Sequence, residues 1–124
     1  MVPNPSHRFV LPSVAKYKAA LLQIRENLSP NQLLMLKAQY HAKNHALTSR
    51  QLAEVVRYKS PQGASLQYGR MGTLLREALS YWKDDGQKSY ILSGFIHPDD
   101  ADENEWEFVM HKQVVQALHE LKWF

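Results

Sequence analysis

The sequence predicts a mainly helical α+β domain: a winged helix-turn-helix-like core with an N-terminal helix, a β-hairpin and a C-terminal helix. Three observations predict it. Apolar residues recur at three- and four-residue steps through most of 14–83. Ser29-Pro30, Thr48 and Ser60-Pro61 divide that stretch into separate helices, since each can cap a new start. Two alternating runs then follow, closed by one more helical stripe.

Each element has its own warrant. Three prolines mark Met1 to Ser13 as a flexible N-terminal arm, and 14–124 as a single winged-helix-like domain. Val14, Tyr17, Leu21, Ile24 and Leu28 form the stripe of a first helix, with Lys16, Lys18, Gln23 and Arg25 on its other faces. Ser29-Pro30 opens a second, whose stripe continues through Leu33, Leu36 and Tyr40 and stops near Asn44. Thr48 to Lys59 is a third; Thr48 and Gln51 have capping-box spacing, and Leu52, Val55 and Val56 supply its buried face. Ser60-Pro61-Gln62-Gly63 breaks the chain and restarts it. Tyr68, Met71, Leu75, Leu79 and Trp82 then share one side of a helix over 64–83, in which Gly69 and Gly72 weaken the first half. After the turn Asp84-Asp85-Gly86, Ser89 to Ile96 and Glu105 to Met110 alternate as two strands of a long hairpin. Lys112 to Leu121 is the last helix, packed through Val114, Leu118 and Leu121.

Composition narrows the function classes. Apolar residues make up 44% of the 124 residues and charged residues 22%, which is ordinary globular usage. No apolar run has the roughly 20 residues of a membrane helix, and Met1 to Pro12 holds no stretch of signal-peptide type. No membrane contact and a cytoplasmic location are therefore expected. The chain has no cysteine, so it has no disulfide, no thiolate zinc site and no cysteine nucleophile.

The formal net charge of +3 conceals an asymmetry. Residues 1–83 carry 12 Lys and Arg against Glu26, Glu54 and Glu77, a net +9; residues 84–124 carry three lysines against nine acids, a net −6. A basic region of this size suits a phosphate surface, because neutralising phosphates releases counterions. It also serves to solvate helix faces.

A third helix, a tight turn and a fourth helix ahead of a hairpin is the order of a winged helix-turn-helix, whose second helix enters the DNA major groove. Helical spacing nominates Gln67, Arg70 and Thr73 as groove-facing, with Gln62 and Ser65 at the exposed start. Arg70 can pair with two guanine acceptors, and Gln62 or Gln67 with two adenine groups. Arg50, Arg57, Lys59 and Arg76 can add phosphate contacts. Ser65, Ser60 and Thr48 lie near helix starts that attract phosphate. Thr48 and Ser60 read first as caps, since capping needs nothing outside the chain. Tyr58 and Tyr68 can stack on bases, but their spacing is that of core residues.

The hairpin loop runs the other way. Asp99, Asp100, Asp102, Glu103, Glu105 and Glu107 fall within nine residues, and acid beside phosphate repels. Asp99, Asp100, Asp102, Glu103 and Glu105 are therefore candidates for a protein partner, such as a basic protein or a nucleic-acid enzyme that the chain inhibits in defence or counter-defence. A calcium loop lacks its central glycine there. His41 and His45 are four apart, a zinc-compatible spacing on one helix face, but no third ligand accompanies them and no metal is expected. Trp106, Trp123 and Phe124 suggest an oligomerising surface as a third possibility. Walker, Rossmann and GxSxG patterns are absent, so neither a cofactor nor catalysis is expected.

Three stretches carry a resemblance: LSPNQLLMLKAQYHA (28–42), LTSRQLAEVVRYKSPQGASLQYGRMGTLLREAL (47–79) and EWEFVMHKQVVQALHELKWF (105–124). Together they resemble a small bacterial domain associated with proteins that carry an HNH-type endonuclease. The similarity spans most of Leu28 to Phe124, and its most specific pieces are Leu66-Gln67-Tyr68-Gly69, Trp106, Met110 and Ala117-Leu118. It implies a nucleic-acid-targeting or defence-related context, with the His-Asn-His catalytic segment absent. The combined expectation is a non-enzymatic module for double-stranded DNA, either a regulator or a nuclease-targeting accessory.

Overall fold

A computed structural model describes residues 11–80, 91–96 and 106–124. Ser13 accepts a hydrogen bond from the Lys16 N–H and starts α1 (Val14–Ile24), which buries Tyr17, Ala20, Leu21 and Ile24. Ser29 starts α2 (Pro30–His41) with a full capping box: its hydroxyl accepts from Gln32 N, and Gln32 Oε1 accepts from Ser29 N. A short strand, β1 (Ala46–Thr48), leads directly into α3 (Ser49–Val56). α4 (Pro61–Leu79) is the longest helix, β2 (Ser93–Ile96) and β3 (Glu107–Met110) are strands, and α5 (Lys112–Leu121) follows them. The protein is mainly helical with a small three-stranded antiparallel sheet.

Strand β3 lies in the centre of the sheet, in the order β1-β3-β2. Leu47 faces Phe108 across one ladder, and Ser93 faces Met110 across the other. The sequence pattern assigns no element to 45–47 and reads Thr48 only as the cap of the third helix, whereas Ala46–Thr48 forms a strand. A three-residue strand carries too little alternation to register as a pattern, and its central residue Leu47 pairs 61 residues downstream with Phe108. The observed β2 and β3 are each four residues, shorter than the runs that alternate in the sequence.

The core joins every helix to the sheet. Tyr17, Leu21, Met35, Leu36, Leu52, Tyr68, Met71, Leu75, Leu92 and Leu118 are all essentially inaccessible. Two glutamines are buried with them. In α2 the buried positions are Gln32, Met35, Leu36 and Gln39, whereas Leu33 and Tyr40 are only partly covered. The inward face is therefore rotated from the stripe Leu33, Leu36, Tyr40. The reason is polar. Gln39 Nε2 donates to Phe108 O at 2.9 Å and to Ser93 Oγ at 3.1 Å, and Tyr68 Oη donates to Gln39 Oε1 at 2.5 Å. A fully bonded amide is tolerated in a core, while an unbonded one is not.

One further expectation is corrected. The helix ends at His41, and Asn44 and His45 after it both take positive φ. His41 and His45 thus do not share a helix face, and His45 Nδ1 lies 2.8 Å from Tyr40 O. Helix α4 runs unbroken through Gly63, Gly69 and Gly72, whose low helix propensity does not interrupt it.

Candidate nucleic-acid interface

The surface begins with two caps. Thr48 Oγ1 accepts from Gln51 N at 3.1 Å, while Gln51 Oε1 accepts from Thr48 N at 2.9 Å. Leu52, Ala53 and Val56 bury the inner side of α3. The helix ends because Arg57 takes a left-handed conformation, φ 60°. Its N–H bonds back to Ala53 and Glu54, and the Tyr58 N–H bonds to Ala53 O at 2.9 Å. Glycine is the usual residue at such a stop, so arginine adopts it at some conformational cost. Ser60 then caps α4, accepting from Gly63 N at 3.2 Å, and Pro61 occupies the first turn. Arg57 to Ser60 is thus a four-residue turn between two helices packed against each other.

Helix α4 presents two contrasting faces. Ala64, Tyr68, Met71, Gly72 and Leu75 are buried. Tyr68 stacks on Phe108 with ring centroids 4.9 Å apart, and burial pushes its hydroxyl pKa far above the usual tyrosine value. It is inaccessible to bases. On the opposite side Gln62, Leu66, Arg70 and Glu77 are exposed, with Ser65, Gly69 and Thr73 partly exposed among them. Ser49, Pro61, Gln62, Ser65 and Leu66 line a shallow open groove where the starts of α3 and α4 meet.

The nominated residues differ in exposure. Arg50, Arg57, Lys59, Gln62 and Arg70 are exposed, while Ser65, Thr73 and Arg76 are half-buried. Thr73 Oγ1 donates to Gly69 O at 3.2 Å, the usual back-bond of a helical threonine. Gln67 lies at the edge of the outer face, half-buried, with its carbonyl accepting from Gln32 Nε2 at 3.2 Å. Among the described residues, no ion pair or hydrogen bond engages the side chains of Arg57, Lys59 or Arg70. Asp99, Asp100, Asp102, Glu103 and Glu105 lie outside the described residues.

Leu66 is the residue that sequence reasoning passed over. It is 55% exposed between Gln62 and Arg70, one turn from each. Its helical phase was readable, since it falls opposite Tyr68 and Met71, but an apolar residue is normally assigned to the core. Tyr58 is half-buried against the core, with its hydroxyl 3.5 Å from Asn31 Nδ2. Trp123 and Phe124 also pack onto the core, whereas Trp106 is half exposed. Among the described residues no three metal-ligating side chains come together, and no helix is long and apolar enough to cross a membrane.

No protein-family model, curated protein or solved structure matches this chain.

Proposed function

We propose that this chain is a non-enzymatic DNA-binding module, with α3, the turn and α4 acting as the helix-turn-helix of a winged-helix domain. One observation carries the reading: the solvent face of α4 sets Gln62, Arg70 and Thr73 together, beside cations at the turn that have no internal partner among the described residues. The arrangement of the strands supports it, because the strand before α3 and the two after α4 form one antiparallel sheet around β3. Helix α4 is 19 residues long, roughly 28 Å at the rise of an α-helix. An α-helix fits the major groove, which is about 12 Å wide.

In this reading Arg57 and Lys59 hold phosphates beside the groove, joined by Arg50 at the start of α3. Their contacts position the module without reading sequence. Gln62 and Arg70 reach base edges, and Leu66 lies where it can meet a thymine methyl. A regulator and a nuclease-targeting accessory would use the same surface.

The test is a titration of the purified protein against a fluorescent random duplex at several salt concentrations, with Arg57→Ala and Arg70→Ala alongside. Expected are binding that weakens steeply as salt rises, a loss of about tenfold for each variant, and a salt slope reduced by about 1 for each lost phosphate contact. Melting curves should stay within about 0.5 kcal/mol of the parent, because both side chains are exposed surface groups. Unchanged affinity in both variants sinks the reading. No binding at low salt also sinks it, and makes a basic protein partner for the acidic residues Asp99, Asp100, Asp102, Glu103 and Glu105 the next candidate.

A further inference from the structure

Among the described residues, nothing requires glycine at position 69. It sits in the middle of α4, where glycine is disfavoured against alanine because it loses more backbone freedom on folding. Its backbone does not take the left-handed conformation that glycine alone adopts freely. A Cβ built there meets nothing within 4 Å. The other two glycines of this helix differ: a Cβ at Gly63 would lie 3.4 Å from Tyr58 Cδ2, and Gly72 is buried. Neither conformation nor packing among the described residues accounts for position 69.

Its place on the helix suggests what does. Gly69 belongs to the outer face, one turn from both Leu66 and Thr73 and next to Arg70. Three larger side chains therefore border a dip that reaches the helix backbone. The Thr73 hydroxyl already satisfies the Gly69 carbonyl, so something can come against that backbone without leaving a polar group unpaired. The exposed cations Arg57, Lys59 and Arg70 favour a polyanion as the occupant.

We infer that Gly69 is the point of closest approach between α4 and a DNA duplex, its missing side chain letting the groove seat against the helix backbone. The inference rests on the DNA-binding reading above. It makes position 69 a steric determinant of how deep the helix sits, and so of how well Gln62 and Arg70 reach their base edges.

The test compares Gly69→Ala and Gly69→Leu with the parent in thermal melting, duplex titration and sedimentation. Both variants should fold, with Gly69→Ala melting higher than the parent because the helix gains intrinsic propensity. Gly69→Leu should weaken duplex affinity about tenfold or more, since the side chain fills the dip. A substitution that stabilises the fold and weakens binding is hard to explain by any structural role. Parent-like affinity in Gly69→Leu, while Arg57→Ala and Arg70→Ala still lose binding, overturns the inference and leaves the DNA reading standing. A lower melting temperature for Gly69→Ala overturns it as well, because glycine would then be needed internally. If the parent binds no duplex, both readings fall. If the parent is a dimer that Gly69→Leu dissociates without changing duplex affinity, the occupant is a second copy of the chain.

Discussion

At the contact between α1 and α5, Lys18 Nζ reaches Glu120 Oε1 at 3.1 Å, Gln116 Nε2 donates to the other carboxylate oxygen at 2.8 Å, and the Arg25 guanidinium lies 4.7 Å from the Trp123 ring centroid. At the α3–α4 turn Arg57 and Lys59, and on the outer face of α4 Arg70, have no such partners among the described residues. Both regions stand on the same core. Tyr17, Leu21 and Ile24 anchor the first, and Leu52, Val56 and Met71 anchor the second. The difference is that one region spends its polar groups on itself and the other leaves them facing outward. Exposed charge adds little to folding in either place. Unengaged charge beside a well-capped turn is therefore better explained by something outside the chain than by stability.

The first way to test the contrast is to damage the self-contained side. Leu118→Ala empties a fully buried site opposite α1 and should cost about 2–5 kcal/mol in denaturant unfolding. The exposed face of α4 should still bind duplex wherever the variant is folded. A cost under about 0.5 kcal/mol, the range of a surface substitution, would mean that α5 contributes little to the core.

Tyr68→Phe sharpens the contrast within α4 itself. It removes the hydroxyl that bonds both Gln39 Oε1 and Ser93 Oγ, leaving buried partners short of a bond. The expected cost is about 1–3 kcal/mol. The tyrosine also carries an alkaline signature. Its folded pKa is raised, chiefly by burial, above the ordinary value of 10.0. Its contribution is therefore complete below that ordinary value and is lost as pH rises past it. The phenylalanine variant should lack that component when unfolding is followed into alkaline pH. An alkaline decline equal to the parent's would show that other groups cause it.

The smallest effect is expected at Glu120. The Gln116 hydrogen bond, followed by that of Lys18, lowers its pKa from the ordinary 4.5. A depressed carboxyl contributes stability above its unfolded pKa and loses it as pH falls through the folded value. Glu120→Gln should thus slightly reduce the stability lost between neutral and acid pH. A difference as large as that of Tyr68→Phe would mean that this exposed cluster matters far more than its surroundings imply.

Much of the fold was legible because its signals are local. Caps at Ser29, Thr48 and Ser60 lie three residues from the groups they bind, so they can be read in order along the chain. The last helix, 112–121, came out with the expected bounds. Strand β1 and the rotation of α2 were not legible. Both depend on partners far along the chain: Ala46 on Val109, and Gln39 on Tyr68, Ser93 and Phe108. The candidate surface divides in the same way. Arg70 and Gln62 follow from helical phase, and glycines inside a helical pattern already point to Gly69 and Gly72 as places of close backbone approach, whereas the exposure of Leu66 needed knowledge of what lies around it.

By itself, then, the sequence determined where the helices start, which side of α4 turns inward, and that the basic residues crowd into the first two thirds of the chain. Those features arise from interactions within a few residues, or from composition alone. Tertiary structure decided that β3 lies between β1 and β2, that two glutamines belong in the core, and that Arg57, Lys59 and Arg70 are exposed without internal partners among the described residues. Pairing across sixty residues and the burial of an amide depend on which groups meet in space, and a local pattern carries no record of that.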